Sequence, residues 1–525
     1  MAVSKNSRNS RRSNAAGLPP GLSVVICAVV CLAVMACAAW RFYSTGVTLW
    51  YGDAEAHLNI ARRIIDSRTP GIAQLGTTWL PLPHLLMIPF VRNDELWKTG
   101  LAGAIPASFC MAMAGTFLFA AIRRLSESAI AAAAATAVFL LNPNTLYLGS
   151  IPMSEPYYFI SLFGLLYFSV RFSDTQGWGA ILGMAIATSC AAMTRYEGWF
   201  LIPFVVALIL VRGKGLGGRM GGAVVFGVLA SIGPLLWLFY NRWYFADPLY
   251  FYRGPWSAMG IQGNATYPGR GDWRMALQYF IEAGKLAIGV PGLLLGAAGI
   301  IAALARRWFW AALLVTLPAA FYVWSIHSSS TPIFVPTLWP HSFYNTRYAM
   351  ALVPIVAVGV AALARFGRIP AVVAVLIAFT PVFLHPRDHS ITWQESDVNS
   401  RARRAWVGDA ANYLRHAMGP NETFIASFSD MTAAFRMLGV PLRNTLTGDN
   451  DVEFVMTMGR PEIFLHTDWA IVTGGDPIQT MIDRARRDGP KFELKHRVIV
   501  KGEPALEIYK RVAEEPPLPP GDGLF

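Results

Sequence analysis

Residues 22–40 read LSVVICAVVCLAVMACAAW, and residues 51–64, a few positions later, read YGDAEAHLNIARRI. The first stretch is 19 residues without a charge, close to the length that an α-helix needs to cross a bilayer. The second stretch places Asp53, Glu55 and His57 at alternate positions. Carboxylates beside a membrane helix cost free energy unless they face water, a partner or a metal. The pair of stretches therefore predicts a membrane helix followed by a functional outer loop.

The same apolar character continues along the chain. Hydrophobic residues make up 54% of its 525 residues and charged residues only 14%, whereas a soluble domain carries about 25% charged residues. Ten further charge-free runs are 99–122, 128–154, 156–170, 175–194, 198–211, 220–241, 286–305, 308–346, 348–364 and 369–386. The pattern predicts an α-helical polytopic membrane protein with about eleven transmembrane helices.

Lysine and arginine residues in short loops predict the orientation of these helices. If the N-terminal tail is cytoplasmic, the loops on its side carry an excess of basic residues that equals the whole net charge of +12. The basic character then reflects topology, and a nucleic-acid partner loses its main support. Eleven helices that begin inside end outside. We therefore expect a multi-pass plasma (inner) membrane protein with a cytoplasmic N-terminus and an extracytoplasmic C-terminal domain.

Composition divides the chain into four parts. Residues 1–21 are rich in Ser, Asn and Arg and predict a disordered, basic, cytoplasmic tail, and 22–386 form the transmembrane domain with a first outer loop at 43–98. From residue 387 charges return and helical and strand patterns alternate, which predicts an extracytoplasmic α/β domain over 387–513. Residues 514–525 predict a second disordered tail. The five cysteines all lie in apolar runs, so none is left for a disulfide in the C-terminal domain.

Four outer loops bring ionisable residues to the same face of the membrane under this topology. These residues are Asp53 and Glu55 in the first loop, Glu155 in PMSEPYY, Arg195 and Glu197 in TRYEGW, and Arg347 in YNTRYAMALVPI. A carboxylate at this depth can act as a general base towards a hydroxyl, and an arginine can hold a phosphate with two hydrogen bonds. Such a set suits sugar transfer from a lipid phosphate, in which an acceptor hydroxyl displaces the phosphate with inversion.

This layout resembles the GT-C superfamily of polyprenyl-phosphate-sugar-dependent glycosyltransferases, and most closely its protein O-mannosyltransferases and the aminoarabinose transferase that modifies lipid A. The family's acidic motif after the first membrane helix is matched by YGDAEAH (51–57). Its final-loop arginine at the start of a helix is matched by TRYAMALVP (346–354). The acidic pair of the family is commonly adjacent. Here one alanine separates Asp53 from Glu55, and on a helix the two would point about 200° apart.

The resemblance implies a role for each matched residue. Asp53 would be the catalytic base that activates the acceptor, and Arg347 would bind the donor phosphate. Further candidates for binding the phosphate or the substrate are Tyr348, Glu155, Arg195, Glu197 and His57. Glu55 would support these residues from behind. A divalent cation (Mg²⁺ or Mn²⁺) is left open, with Asp53, His57 and Glu155 as its candidate ligands. The implied partners are a polyprenyl-phosphate-linked sugar donor, a lipid, glycan or protein acceptor, and the bilayer.

Simpler interpretations of the same residues stay open. Asp53 can cap the helix that follows it, and Arg195 can form an ordinary ion pair with Glu197. Arg62 and Arg63 are expected on a solvated face or among lipid headgroups. For the whole chain the main alternative is a polytopic transporter or lipid flippase, although transporters tend to place polar residues near the bilayer midplane within broken helices.

Overall fold

A bundle of apolar helices makes up most of the molecule, and an α/β domain follows it. The computed structural model describes residues 19–427, 430–450 and 452–512. The helices of the bundle are α1 (Pro20–Ser44), α2 (Gly52–Arg63), α3 (Leu82–Val91), α4 (Asp94–Thr99), α5 (Leu101–Ser126), α6 (Ala129–Leu140), α7 (Pro143–Leu148), α8 (Glu155–Thr175), α9 (Trp178–Ala192), α10 (Glu197–Arg212), α11 (Leu216–Phe245), α12 (Tyr250–Arg253), α13 (Ala258–Gln262), α14 (Trp273–Ala305), α15 (Phe309–Ser328), α16 (Val353–Ala364) and α17 (Arg368–Leu384). Two 3-10 helices, Ile72–Leu75 and Thr346–Leu352, lie between them.

The polytopic helical prediction is confirmed. Each of the eleven charge-free runs contains one of these helices. Within the described residues, six helices are long and apolar enough to cross a membrane by length and composition: α1, α5, α11, α14, α15 and the continuous segment Thr346–Ala364. The predicted tail at 1–21 lies outside the described residues as far as residue 18, and α1 begins at Pro20. The predicted tail at 514–525 lies wholly outside them.

Two glycines let the helices near the site approach closely. A Cβ on Gly299 of α14 would lie 2.2 Å from the Cα of Gly359 in α16, a contact that only a small residue allows. Gly289 breaks the regular path of α14 with a φ of 79°, and a Cβ there would lie 2.3 Å from Pro381. Both contacts hold α14 against the C-terminal helices of the bundle.

The C-terminal domain is a five-stranded mixed sheet with helices. Its elements are α18 (Ile391–Ala417), β1 (Phe424–Ala426), α19 (Asp430–Leu438), β2 (Thr445–Leu446), α20 (Val452–Gly459), α21 (Pro461–Phe464), β3 (Trp469–Thr473), α22 (Pro477–Asp488), β4 (Phe492–Val498) and β5 (Leu506–Arg511), with 3-10 helices at Leu442–Asn444 and Gly448–Asn450. The strand order is β2-β1-β3-β5-β4. The first three strands are parallel, and β5 runs antiparallel to both β3 and β4. The predicted α/β character is confirmed.

Ion pairs join the first outer loop to this domain. The pairs are Glu55 with Arg436, Arg63 with Asp449, Asp66 with Arg443, and Arg68 with Glu453. Glu55 and Arg436 are both buried and make two hydrogen bonds of 2.6 and 2.9 Å. Paired and bidentate geometry is what makes the burial of two charges tolerable. Helix α2 is therefore fixed against the C-terminal domain on one side.

Candidate active site

Asp53 lies in the first turn of α2 and makes an ion pair across the bundle. Arg347 Nη2 donates a hydrogen bond of 2.6 Å to Asp53 Oδ2. Helix α2 has no side-chain cap at its N-cap residue, Tyr51, so the capping interpretation of Asp53 is not what the structure shows. The Tyr51 ring instead packs under the Arg347 guanidinium, with 5.2 Å between the guanidinium carbon and the ring centroid. Acidic residues in a first turn also favour the helix dipole.

Glu155, the first residue of α8, connects Arg347 to a second arginine. Its Oε1 lies 3.2 Å from Arg347 Nε and accepts a hydrogen bond of 2.9 Å from Arg195 Nη1. The Arg347 contact is close enough for an ion pair but is not a hydrogen bond, because buried Nε has no hydrogen-bond partner among the described residues. Arg347 thus retains donor capacity that an incoming anion can use.

Arg195 has its own carboxylate and a tyrosine. Its Nε donates to Glu197 Oε1 at 2.6 Å, and its Nη2 donates to the Tyr322 hydroxyl at 2.6 Å. Tyr322 in turn donates to Glu197 and stacks on Tyr348, with ring centroids 4.5 Å apart. The ordinary ion pair expected between Arg195 and Glu197 exists, but it is one part of a larger network.

The network is buried except at one carboxylate. Glu155, Glu197 and Arg347 are 4%, 3% and 8% exposed, whereas the Asp53 side chain is 30% exposed. Buried charges are tolerated when they are paired and hydrogen-bonded. This network pairs every acid with an arginine, although Glu155 Oε2, like Arg347 Nε, is buried without a hydrogen-bond partner among the described residues. Asp53 is therefore the acid of the set that can meet a substrate.

Glu395 of α18 organises the backbone just before Arg347. It is 4% exposed, and its two carboxylate oxygens accept hydrogen bonds from the backbone N–H groups of Asn345 and Thr346 at 2.9 and 2.8 Å. The Thr346 hydroxyl donates to the same carboxylate. Asn345 has a φ of 53°, in the left-handed region that asparagine tolerates. Glu395 therefore stabilises the turn from which Arg347 reaches Asp53.

His57 lies one helical turn after Asp53 and is buried. Its Nδ1 is 2.8 Å from His84 Nε2 of α3, and its ring packs on Trp79 with centroids 4.7 Å apart. Burial, together with the charges of Arg347 and Arg195, lowers the pKa of His57 to about 3. The ring is therefore neutral at physiological pH.

Two cavities meet at Arg347. One has a volume of about 570 Å³ and a largely aromatic and apolar wall, and its lining includes His57 and Arg195. The other has a volume of about 450 Å³ and is lined by Asp53, Glu395 and polar residues of α18. Trp79, Arg347 and Tyr348 line both cavities. A ligand with an apolar part, an anionic centre and a polar part can therefore span them with the anion at Arg347.

The candidate metal ligands do not converge. No group of three or more His, Cys, Asp or Glu side chains in the described part of the chain is placed to hold a metal ion. Asp53 and Glu155 both face Arg347, whose charge repels a cation, and His57 faces His84. This arrangement does not fit a divalent cation. A requirement for Mg²⁺ or Mn²⁺ stays a prediction.

The structure changes one expectation about α2 and agrees with another. Arg62 and Arg63 were expected at a solvated or headgroup face, and this is wrong, because they are 6% and 8% exposed. Arg62 pairs with Asp66 and Asp94. Glu55 points away from Asp53, as its position on the helix predicted, and forms a buried ion pair with Arg436.

Comparison with known proteins finds solved structures with a similar fold. No protein-family model and no curated protein matches the chain. The crystal structure of ArnT from Cupriavidus metallidurans in the apo state matches with a TM-score of 0.57 and 15% identity, covering 91% of this chain and 97% of that one. ArnT is the lipid A aminoarabinose transferase, a member of the GT-C superfamily. The chain has the GT-C fold.

Two further structures extend the comparison. The ArnT structure bound to undecaprenyl phosphate matches the GT-C fold of this chain with a TM-score of 0.55 and 15% identity, over 92% of this chain and 98% of that one. An oligosaccharyltransferase of Archaeoglobus fulgidus has a TM-score of 0.44 and 12% identity, over 86% of this chain and 68% of its own. At such identity the likeness to ArnT shows the GT-C fold, and the activity depends on the side chains of the site.

Proposed function

We propose that the chain is an integral-membrane glycosyltransferase that moves a sugar from a polyprenyl-phosphate donor to an acceptor hydroxyl. The observation that carries the proposal is the ion pair of partly exposed Asp53 with buried Arg347 where an apolar cavity meets a polar one. The apolar cavity suits a polyprenyl chain, Arg347 suits its phosphate, and the polar cavity suits a sugar and its acceptor. The ArnT structure with undecaprenyl phosphate supports a donor of this class.

The reaction is a single displacement. Asp53 accepts the proton of the acceptor hydroxyl as the acceptor oxygen bonds to the anomeric carbon. The bond from that carbon to the phosphate oxygen breaks, and its electron pair leaves with the polyprenyl phosphate. The anomeric configuration inverts. Phosphate is a good leaving group, so the step needs no protonating acid.

Arg347 couples donor binding to activation of the base. In the free protein its Nη2 donates a hydrogen bond to Asp53. A donor phosphate competes for the same guanidinium, with Tyr348 beside it and Arg195 behind it, and releases the Asp53 oxygen for the acceptor. Glu155 and Glu197 keep the two arginines in place through their ion pairs. The donor phosphate therefore binds before Asp53 becomes available to the acceptor hydroxyl.

The location follows the predicted topology. The site would open on the extracytoplasmic side of a plasma (inner) membrane, the N-terminus would be cytoplasmic, and the acceptor would be a lipid, glycan or protein. The basic inner loops support this orientation.

The decisive experiment supplies polyprenyl-phosphate sugars to the purified protein in detergent and measures the release of polyprenyl phosphate. We expect turnover by the wild type and a loss of about a hundredfold to ten-thousandfold in Asp53→Asn, the range that a general base supplies. Asp174→Asn, which changes an exposed aspartate paired with Arg124, is the matched control. Equal, nonzero turnover of wild type and Asp53→Asn would show that Asp53 is not the base.

The same turnover assay also tests the metal requirement and the transporter alternative. Turnover that survives EDTA would argue against a divalent cation, and turnover that EDTA abolishes and Mn²⁺ or Mg²⁺ restores would establish one. Absence of turnover with every donor would favour the transporter or flippase alternative.

A further inference from the structure

A pair of buried histidines lies beside the site and is not used by the mechanism above. His57 and His84 are 2% and 0% exposed, and their facing nitrogens, Nδ1 and Nε2, are 2.8 Å apart. His57 lines the apolar cavity together with Arg195 and Arg347. His84 lies deeper, on α3, and its Nδ1 is buried with no hydrogen-bond partner among the described residues.

The unpartnered nitrogen of His84 decides which ring is the donor. A neutral imidazole has one N–H and one bare nitrogen. If His57 Nδ1 carried the proton and donated to His84, then His84 Nδ1 would be a buried N–H without an acceptor. If His84 Nε2 donates, its Nδ1 is a bare nitrogen, and unsatisfied acceptors are better tolerated in protein interiors than unsatisfied N–H groups. The second arrangement is therefore favoured, and it leaves the proton of His57 on Nε2.

The surroundings also keep both rings neutral. Burial, followed by the charges of Arg347 and Arg195, lowers the pKa of His57 to about 3. Burial, followed by the neighbouring His57 and by Arg63, lowers the pKa of His84 well below its usual value. A neutral ring with its proton on Nε2 can donate one hydrogen bond without adding a charge to the network.

We propose that His84 is a positioning residue that fixes His57 as the Nε2–H tautomer, and that His57 donates a hydrogen bond to a phosphate oxygen of the donor. The inference rests on the proposed function for the identity of the ligand. The phosphate is the expected acceptor because His57 lines the same cavity as the two arginines. Because its Nδ1 lone pair is occupied by His84, His57 does not compete with Asp53 for the acceptor proton.

The tautomer is tested without any substrate. The full-length protein, labelled with 15N-histidine in detergent or nanodiscs, gives ring nitrogen signals that report protonation at each site, and the variants His57→Gln and His84→Gln assign the two residues. We expect at neutral pH a bare Nδ1 and a protonated Nε2 in both rings. A proton on His57 Nδ1, or a doubly protonated ring, would overturn the proposal even if glycosyl transfer is confirmed.

The functional part is tested by a double-mutant cycle in the donor assay. We expect kcat/KM to fall about tenfold in His84→Phe and in His57→Phe, the loss of roughly one hydrogen bond, and no further in the double variant. His84→Gln keeps a side-chain N–H donor for His57 Nδ1 and should recover to within about threefold of wild type. Additive losses with no recovery in His84→Gln would indicate packing alone. Lack of turnover by the wild type would refute the glycosyltransferase and this ligand, while the tautomer measurement would still stand.

Discussion

At the scale of single residues, the network shows how a membrane-edge site holds five charges. Arg347 and Arg195 are each flanked by carboxylates at hydrogen-bond or ion-pair distance. Three acids against two arginines leave a negative excess when all are ionised, so an anionic donor must displace a carboxylate to be stable there. Asp53 is the exposed end of the series and so the easiest to displace. The same geometry supports the proposal that Asp53 is the base and that a bound donor phosphate releases it.

The buried histidines make stability depend on pH. Their pKa values are lower in the folded protein than the value of about 6.5 in an unfolded chain. Below that value the unfolded chain binds more protons, so the free energy of unfolding falls as the pH drops from about 6.5 towards 3. Keeping His57 neutral costs about 2 kcal/mol at about pH 5 by this linkage, and His84 adds a cost in the same direction.

Thermal unfolding in detergent at about pH 7.5 and about pH 5 measures this effect. We expect the wild type to lose more stability on acidification than the variant His57→Phe/His84→Phe, by about 2 kcal/mol or more. His416→Gln, a change at an exposed histidine of α18, is the control and should behave as wild type. Equal acid sensitivity of the double variant and the wild type would contradict the neutral buried pair.

At the scale of elements, α18 belongs to the C-terminal domain by sequence but supplies a wall of the site. Glu395 accepts hydrogen bonds from the backbone N–H groups at the start of the segment Thr346–Leu352. A negative charge at this end of a helix also interacts favourably with the helix dipole. The rest of the helix lines the polar cavity through Ser396, Asn399 and Arg403. The domain is therefore a structural part of the site, and its first helix contributes to the shape that an acceptor meets.

This contact yields a prediction for Glu395→Gln. The amide NH2 group of glutamine cannot accept the hydrogen bond that one carboxylate oxygen accepts in the wild type. One backbone N–H group therefore loses its partner, and the turn that positions Arg347 is no longer fixed. We expect a loss of stability of about 2 kcal/mol and a fall in kcat/KM of about tenfold or more. Asp397→Asn is the control on the same helix, since Asp397 pairs with Arg401 and Arg404 of α18 itself. If both variants retain full activity, Glu395 does not position Arg347.

The elements that could be predicted from the sequence are those set by local patterns. Charge-free runs predicted the helices of the bundle, and the alternating helical and strand patterns after residue 387 predicted the α/β domain. Membrane-edge charges at outer loops predicted the group of Asp53, Glu155 and Arg347, which the structure brings together. Their chemical roles stay predictions.

The parts that could not be predicted depend on distant partners. His84 is 27 residues from His57, and Tyr322 lies inside a charge-free run that marks only a membrane helix. The exposure of Arg62 was predicted wrongly because the sequence pattern of a basic residue on an amphipathic helix does not distinguish a lipid phosphate from a carboxylate as its partner. One signal for Glu395 existed: it is an acid on the otherwise apolar or small-residue face of α18, next to buried Thr392 and Ser396.

At the scale of the whole molecule, the structure bears on which elements share a side of the membrane, whatever the total number of membrane helices. Helix α1 is 25 residues long, or about 37 Å at 1.5 Å per residue, enough to cross a bilayer once. Helix α2 follows it within a few residues and is ion-paired to the C-terminal domain through Glu55 and Arg436. We therefore expect the start of α1 and the C-terminal domain to lie on opposite sides of the membrane, with the site on the side of the domain.

Reporter fusions test this arrangement and locate the site at the same time. Alkaline phosphatase is active only where its disulfides form, outside the cytoplasm. In a bacterial host we expect an active reporter when it is fused after Phe525 and an inactive one after Arg307, in a basic inner loop. A fluorescent protein that folds in the cytoplasm should give the reverse pattern at the same two points. Activity after Arg307 and none after Phe525 would invert the orientation, and because the site is tied to the C-terminal domain, it would put the proposed transfer on the cytoplasmic side.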